Sequence, residues 1–225
     1  QAIVREMRDQ RGAGNALGNL GLAYYDLGEP QKAIEFYEQA LAIAREIGDQ
    51  RGEGNALVNL GNAYSDPGEP KKAVEFYEQA LAIAREIGER LDEGTALGNL
   101  GVAYSVLGEP RKAIEFYEQA LNISRETGDR RGEGNHLGNL GVAYSDLGEP
   151  RKAIDFYEQA LKISREIGDR RGEGADLANL GLAYSDLGEP RKATDFYEQA
   201  LKIFEDIEDP NAEKVKRLLQ ESESS

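Results

Sequence analysis

The sequence predicts an all-α solenoid, a stack of similar antiparallel helix pairs, and three observations support this prediction. The stretch NLGVAYSDLGEPRKA at residues 139–153 returns, slightly varied, from residues 19, 59, 99 and 179, so the chain repeats every 40 residues. Each period contains two segments in which apolar residues recur at helical spacing. Glycine and proline mark the ends of these segments. Five copies of one unit in 225 residues indicate a repeat array.

The first segment of each repeat, helix A, runs from about residue 10 to residue 27 in the first copy. Asp9 precedes it as a candidate N-cap, as do Asp49 and Asp129 in later copies. Alanine and glycine flank its large apolar residues and allow neighbouring helices to approach closely. We therefore expect helix A to be packed on three sides. Its fourth side carries Asn15, Asn19, Leu22 and Asp26.

The second segment, helix B, runs from about Pro30 to Ile47 in the first copy. Proline suits the first helical turn, where its missing N–H costs nothing. Gly28 is expected to end helix A and Gly48 to end helix B, each in a short turn. Apolar residues cover about half of the helix B circumference on a helical wheel, and charged residues cover the rest. Helix B therefore has one side in water.

We expect one solenoid domain over residues 1–220, followed by a disordered tail over residues 221–225. Residues 1–10 align with residues 41–50, so the sequence is expected to begin within a helix and to lack an upstream part. Pro67 should end helix A of the second copy one residue early. Phe204 should present extra apolar surface to a terminal helix. The predicted parts of the domain are a partial leading helix (1–8), five repeats (9–48, 49–88, 89–128, 129–168 and 169–208) and a C-terminal capping helix (209–220).

Composition argues against several kinds of function. The formal net charge of −15 argues against nucleic acid and against an anionic membrane surface. The chain has no cysteine, which excludes disulfides and thiolate metal sites and fits a cytoplasmic protein. His136 is the single histidine, a poor basis for a metal site. No nucleophile–base pair can be assembled, so we expect no enzyme, no cofactor and no metal.

The repeated residues resemble the tetratricopeptide repeat (TPR) signature over about nine-tenths of the chain. Two features depart from that signature: arginine, as at Arg45, replaces the usual proline near the end of helix B, and the period is 40 rather than about 34 residues. This long form is similar to the repeats of kinesin light chains, Pins-type polarity adaptors and the sensor arms of bacterial signalling NTPases. In the fourth copy the signature residues are Leu137, Leu140, Gly141, Tyr144, Gly148, Ala153, Tyr157 and Ala160.

The resemblance implies a right-handed superhelix in which helix A lines a concave groove that binds peptides or protein segments. Across the copies most groove positions vary, whereas one is asparagine each time. A carboxamide pairs with both N–H and C=O groups, so an asparagine ladder would hold a peptide backbone, as asparagines at this place do in the long-form relatives. Alternatively, each asparagine bonds a neighbouring helix and fixes the repeat spacing. The ladder is Asn19, Asn59, Asn99, Asn139 and Asn179.

Other groove positions are expected to select the side chains of the ligand. Aspartates at the end of helix A favour a ligand with some basic residues, or are simply a solvated helix end. Tyr25 stands where other copies have serine and is either a groove-end anchor or part of a lost interface. The remaining candidate peptide-binding residues are Asn15, Asn55, Asn135, Asn62, Asp26, Asp66, Asp146 and Asp186.

The sequence thus favours a protein-interaction scaffold that binds a peptide or protein segment. One alternative is a sensory or autoinhibitory arm of a larger signalling protein. A second is self-association through an apolar N-terminal end. A third is an engineered, consensus-like array, although irregularities such as Pro67, Val106 and His136 favour a natural origin.

Overall fold

The computed structural model describes residues 2–65 and 68–223, with side chains from residue 6 to residue 222. Within these ranges the chain forms eleven α-helices and no strand, which confirms the predicted all-α repeat solenoid. The helices are α1 (Ala2–Asp26), α2 (Pro30–Ile47), α3 (Gln50–Ser65), α4 (Pro70–Ile87), α5 (Arg90–Val106), α6 (Pro110–Thr127), α7 (Arg130–Asp146), α8 (Pro150–Ile167), α9 (Arg170–Asp186), α10 (Pro190–Asp206) and α11 (Asn211–Glu223).

Glycine turns separate successive helices, as the sequence predicts. Gly48 has φ of 68°, in the left-handed region that favours glycine. Its N–H donates to the carbonyl of Arg45 at 3.3 Å, and the N–H of Asp49 donates to the carbonyl of Ala44 at 2.8 Å. These bonds satisfy carbonyls at the end of α2 that lack a helical partner. The side chain of Asp49 then accepts from the N–H of Gly52, which opens α3.

The predicted boundary between a leading helix (1–8) and a first repeat beginning at residue 9 is wrong. Helix α1 continues without a break from Ala2 to Asp26, and Asp9 lies inside it rather than capping it. The reason is local: Arg8 stands where later repeats have the turn glycine, as at Gly48. A residue with a side chain resists the left-handed conformation that this turn requires.

The C-terminal helix α11 packs on α10 as expected of a cap. Phe204 of α10 and Val215 of α11 are each 2% exposed and belong to one apolar cluster. Lys216 of α11 also pairs with Glu205 of α10 at 3.1 Å. The helix extends to Glu223, so the prediction that a disordered tail begins at residue 221 is wrong for residues 221–223. Glutamate and serine at these positions are compatible with continued helix, and residues 224 and 225 lie outside the described ranges.

The chain divides into two compact units, residues 1–109 (unit 1) and 110–225 (unit 2), each with its own core. A single domain over 1–220 and a right-handed superhelix remain predictions. The end of α3 at Ser65 agrees with an early stop before Pro67, but residues 66 and 67 lie outside the described ranges, so this too remains a prediction.

Helix A glycines allow tyrosines of helix B to pack directly on the backbone. A Cβ atom added at Gly61 would lie 2.3 Å from Cε1 of Tyr77, and one added at Gly181 would lie 2.4 Å from Cε1 of Tyr197. No side chain fits at such distances. Both tyrosines are almost fully buried. This contact fixes the spacing between the two helices of a repeat, and it confirms that small residues on helix A serve close packing.

Candidate functional site

The predicted groove positions of unit 1 line a cavity of about 400 Å³ between α1 and α3. We call it the α1–α3 cavity. Its floor comes from α2, with apolar residues such as Ala40 and Ile43. Glycines at residues 14 and 18 leave room along α1. Four predicted binding residues belong to the lining, namely Asn15, Asn19, Asn55 and Asn59.

A second cavity, of about 240 Å³, lies between α3 and α5 over the apolar side of α4. Asn55 and Asn59 form part of its wall as well, so α3 presents amides on both sides. From α5 the wall receives Thr95 and Asp92. The asparagines of this wall are predicted binding residues, whereas Asp92 is a lining residue that no sequence pattern indicated.

The asparagine ladder is accessible in both units. Asn59 and Asn99 in unit 1, and Asn139 and Asn179 in unit 2, are half-buried, and Asn19 is exposed. Among the described residues, none of these five side chains makes a hydrogen bond, so the alternative role of bonding a neighbouring helix finds no support in the contacts. The donors and acceptors of these amides are therefore open to water or to another molecule.

Asn62 is engaged within the protein rather than open to a ligand. Its Oδ1 accepts a hydrogen bond of 2.7 Å from the hydroxyl of Tyr77, which comes from α4. The first repeat has Leu22 at the position of Asn62, and the third has Val102. The variation at this position therefore changes the bonding of a buried tyrosine as well as the lining of the predicted groove.

The predicted acidic residues lie at the ends of helix A and are exposed at Asp26, Asp146 and Asp186. Asp66 lies outside the described residues. Burial raises the pKa of Tyr197 to about 12, and the charge of Asp186 contributes to that shift. Tyr25, near the end of α1, is half-buried, and Asn135 on α7 is exposed.

The arginine that replaces the usual TPR proline has a visible role. Nε of Arg85, at the end of α4, donates to Glu93 of α5 at 2.9 Å, and Arg90 binds the same carboxylate. Burial alone would raise the pKa of Glu93, but the two arginines outweigh burial and lower it. The same contact joins Arg45 to Glu53, Arg125 to Glu133 and Arg165 to Glu173.

A buried acidic side chain in unit 2 was missed as a site by the sequence analysis. Asp176 of α9 is 7% exposed, and its Oδ2 accepts a hydrogen bond of 2.8 Å from Oγ of Ser164 in α8. Burial raises the pKa of Asp176 to about 7, against the effect of the Ser164 bond, and Asp169 and Glu173 raise it further. Alignment of the repeats could have revealed this site, because the positions equivalent to Asp176 hold alanine in the second and third copies, at Ala56 and Ala96.

His136 occupies the same position in α7. Its Nδ1 is buried without a hydrogen-bond partner among the described residues. Burial lowers the pKa of His136, although Asp129 acts in the opposite direction. In the described ranges no group of three His, Cys, Asp or Glu side chains is arranged to hold a metal ion. Nor does any helix there have the length and apolar character to cross a bilayer.

Comparison with known proteins defines the class to which these features belong. The tetratricopeptide repeat family matches residues 12–86, 92–166 and 137–206. These segments cover most of the sequence and contain the ladder positions Asn19, Asn59, Asn99, Asn139 and Asn179. The chain therefore belongs to the tetratricopeptide repeat family. A search of curated proteins gave no match.

Several solved structures share the fold. A kinesin light chain-like protein of Podosopora anserina with nearly identical TPR-like repeats has a TM-score of 0.73 at 24% identity, over 86% of this chain and 95% of that one. The TPR sensor-bearing STAND protein (signal transduction ATPase with numerous domains) of Pyrococcus horikoshii has a TM-score of 0.83 at 20% identity. That match covers 97% of this chain but 35% of the STAND protein. A Rap protein complexed with competence and sporulation factor has a TM-score of 0.69 at 19% identity, over 97% and 65% of the two chains.

Proposed function

We propose that this protein is an interaction scaffold that binds an extended peptide or protein segment along the helix A face. The observation that carries the proposal is the set of ladder amides without hydrogen bonds, two of which, Asn19 and Asn59, line the α1–α3 cavity. Each amide offers donors and an acceptor to a peptide backbone. A solved relative with this fold, the Rap protein, is bound to competence and sporulation factor.

The test begins with selection of binding peptides from a phage-displayed library of random peptides, followed by measurement of affinity with the synthetic peptides. We expect the double variant Asn19→Ala and Asn59→Ala to weaken binding at least tenfold, because each lost hydrogen bond reduces affinity several-fold. The melting temperature should stay within about 2 °C of the parent, since these amides bond nothing in the free protein. Asn122→Ala, at an exposed asparagine on α6, is the matched control. A large drop in melting temperature would instead assign the asparagines to the fold.

The acidic ends of helix A favour a ligand with basic residues. Asp26 in unit 1 and Asp146 and Asp186 in unit 2 are exposed, and the whole chain carries a net charge of −15. Attraction between exposed charges weakens as salt rises. We expect the affinity for a selected peptide to decrease as the salt concentration is raised from about 50 to about 500 mM. An affinity that does not change with salt would show that these aspartates have no role in binding the ligand.

Self-association is a second candidate, and the exposure of α1 favours it. Leu20 is 47% exposed and Leu27 is 71% exposed, whereas Leu60 and Leu100, at the position of Leu20 in later repeats, are fully buried. Light scattering over a hundredfold range of protein concentration tests it. Self-association would be supported if the measured mass rises with protein concentration and if the Leu20→Lys variant keeps the mass of a monomer.

A sensory arm of a larger signalling protein is a third candidate. It is favoured by the match to a STAND protein with a TPR sensor, of which this chain spans about a third. A nucleotide-binding motif in the same gene would support this role, and a gene that encodes repeats alone would contradict it.

A further inference from the structure

The α1–α3 cavity has a buried tyrosine in its wall. Tyr37 of α2 is 1% exposed, and it belongs to the lining together with the asparagines of α1 and α3. A Cβ atom at Gly21 would lie 2.5 Å from Cε1 of Tyr37, so the ring lies directly against the α1 backbone. This packing fixes the position of the phenol group. Its hydroxyl is a donor held in place by the core.

The equivalent tyrosine of the next repeat is bonded differently. Tyr77 donates to Oδ1 of Asn62 at 2.7 Å. Tyr37 faces Leu22 at the position of Asn62, and leucine offers no acceptor. Within the described ranges the hydroxyl of Tyr37 has no hydrogen-bond partner. Unlike the hydroxyl of Tyr77, this hydroxyl is therefore left for an outside acceptor.

The protonation state of Tyr37 suits a donor. Burial raises its pKa, and the negative charge of Asp26 raises it further. The hydroxyl therefore keeps its proton throughout the neutral pH range, so it can donate a hydrogen bond. Asp26 is at the exposed end of α1, and among the described residues no hydrogen bond joins it to this hydroxyl.

The rest of the lining indicates the chemistry of the occupant. Its two charged residues, Arg11 and Asp49, neutralise one another through an ion pair of 2.9 Å. Four carboxamides surround an apolar floor that contains Ala40 and Ile43. A wall of this kind disfavours a charged group, which would lose hydration without gaining a counter-ion. It suits a neutral amide, which has an acceptor for the tyrosine and donors for asparagine oxygens.

We propose that the α1–α3 cavity is the anchor pocket of the groove and receives a neutral amide of the bound peptide, whose carbonyl oxygen accepts a hydrogen bond from Tyr37. This inference rests on the proposed function, because it names a contact of the same groove. It adds a binding residue, Tyr37, that is absent from the candidates predicted from the sequence. It also distinguishes the first repeat from the second, in which Tyr77 is already bonded to Asn62.

A pair of phenylalanine substitutions tests the inference with the whole chain. The probes are the synthetic peptides selected from the phage-displayed library. Tyr37→Phe removes one donor without changing the ring, so we expect affinity to fall about fivefold to tenfold at an unchanged melting temperature. Tyr77→Phe breaks the bond to Asn62 instead. It should lower the melting temperature and leave affinity within about twofold.

A third variant supplies the missing acceptor. Leu22→Asn reproduces in the first repeat the partner that Tyr77 has in the second, so the melting temperature should rise or hold while peptide affinity falls. Where the anchoring amide is a Gln or Asn side chain of the peptide, its replacement by Glu or Asp should weaken binding at least tenfold, because the only cation of the lining, Arg11, is paired with Asp49.

The outcomes separate this inference from the proposed function. If peptides are selected and bind Tyr37→Phe as tightly as the parent protein, the anchor assignment is wrong and the scaffold function stands. If no peptide is selected, both are contradicted. If Tyr37→Phe and Tyr77→Phe lower affinity equally, the tyrosines act through the fold, and the anchor assignment again fails.

Discussion

The two units close their repeat interfaces with different chemistry. In unit 1 the facing positions of helix B and the next helix A are alanines, Ala44 with Ala56 and Ala84 with Ala96. In unit 2 the same positions hold Ser124 with His136 and Ser164 with Asp176. The backbone elements are equivalent, so the comparison isolates the effect of a buried titratable group. The alanine pairs add no pH dependence at these positions, whereas the polar pairs couple the packing of unit 2 to proton binding.

The largest expected effect comes from moving the carboxyl group into unit 1. Ala96→Asp places a carboxyl at a site with 0% exposure and with no serine opposite. We expect a loss of about 3–5 kcal/mol of stability, the usual cost of an uncompensated buried charge. Urea unfolding followed by circular dichroism measures it. The second variant, Ala84→Ser with Ala96→Asp, rebuilds the pair of unit 2 and should recover part of the loss; no recovery would show that the serine bond matters little.

The reverse exchange should stabilise unit 2. Because the pKa of Asp176 is raised to about 7 from 3.8, the folded protein keeps a proton that the unfolded chain loses between these values. Stability therefore falls as the pH rises through that window and levels off above about 7. We expect Ser164→Ala with Asp176→Ala to gain about 2 kcal/mol at pH 8 and to gain little at pH 4. Hydrogen exchange of α8 and α9 amides at both pH values checks the prediction, and an equal gain at both would contradict it.

His136 should produce the opposite pH dependence and a smaller effect. Its pKa lies below the ordinary 6.5 because burial disfavours the charged ring. The unfolded chain therefore binds a proton below pH 6.5 that the folded protein resists, so stability is lost as the pH falls through this region. We expect His136→Ala to remove about 1 kcal/mol of this loss at pH 5.5. Melting curves at pH 5.5 and 7.5 measure it, and identical curves for parent and variant at pH 5.5 would sink the assignment.

The smallest effect is expected where the two units agree. Arg85 and Arg165 each bind a glutamate of the next helix A, at 2.9 and 2.8 Å, and each arginine is about half exposed. Ion pairs of this kind contribute up to about 1 kcal/mol. Arg85→Ala and Arg165→Ala should therefore cost similar small amounts that shrink in 0.5 M salt. A several-fold difference between the two variants would mean that the units differ at this contact as well.

Periodicity predicted most of the fold because all five repeats carry the same pattern of residues. Gly48 and Pro30 predicted turns and helix starts that the structure confirms. The prediction failed where the pattern is broken by one residue, at Arg8, since a single side chain decides whether the helix turns or continues. Likewise, the groove asparagines followed from their spacing, but the bonds of Tyr77 and Asp176 did not. Such bonds depend on which residue of a neighbouring helix faces the group, and periodicity alone does not pair them.

The packing of helix B tyrosines on helix A glycines has a consequence for how the repeats change over generations. A methyl group at Gly141 would lie 2.4 Å from Cε1 of Tyr157, so neither partner is free to vary alone. Replacement of the glycine is tolerated only after the tyrosine has become smaller, and a smaller residue first leaves a hole beside the glycine. Both single steps are costly, and the glycine and its tyrosine are both present in each of the five repeats of this sequence. This mutational barrier keeps the repeats alike in their interior while the groove residues diverge.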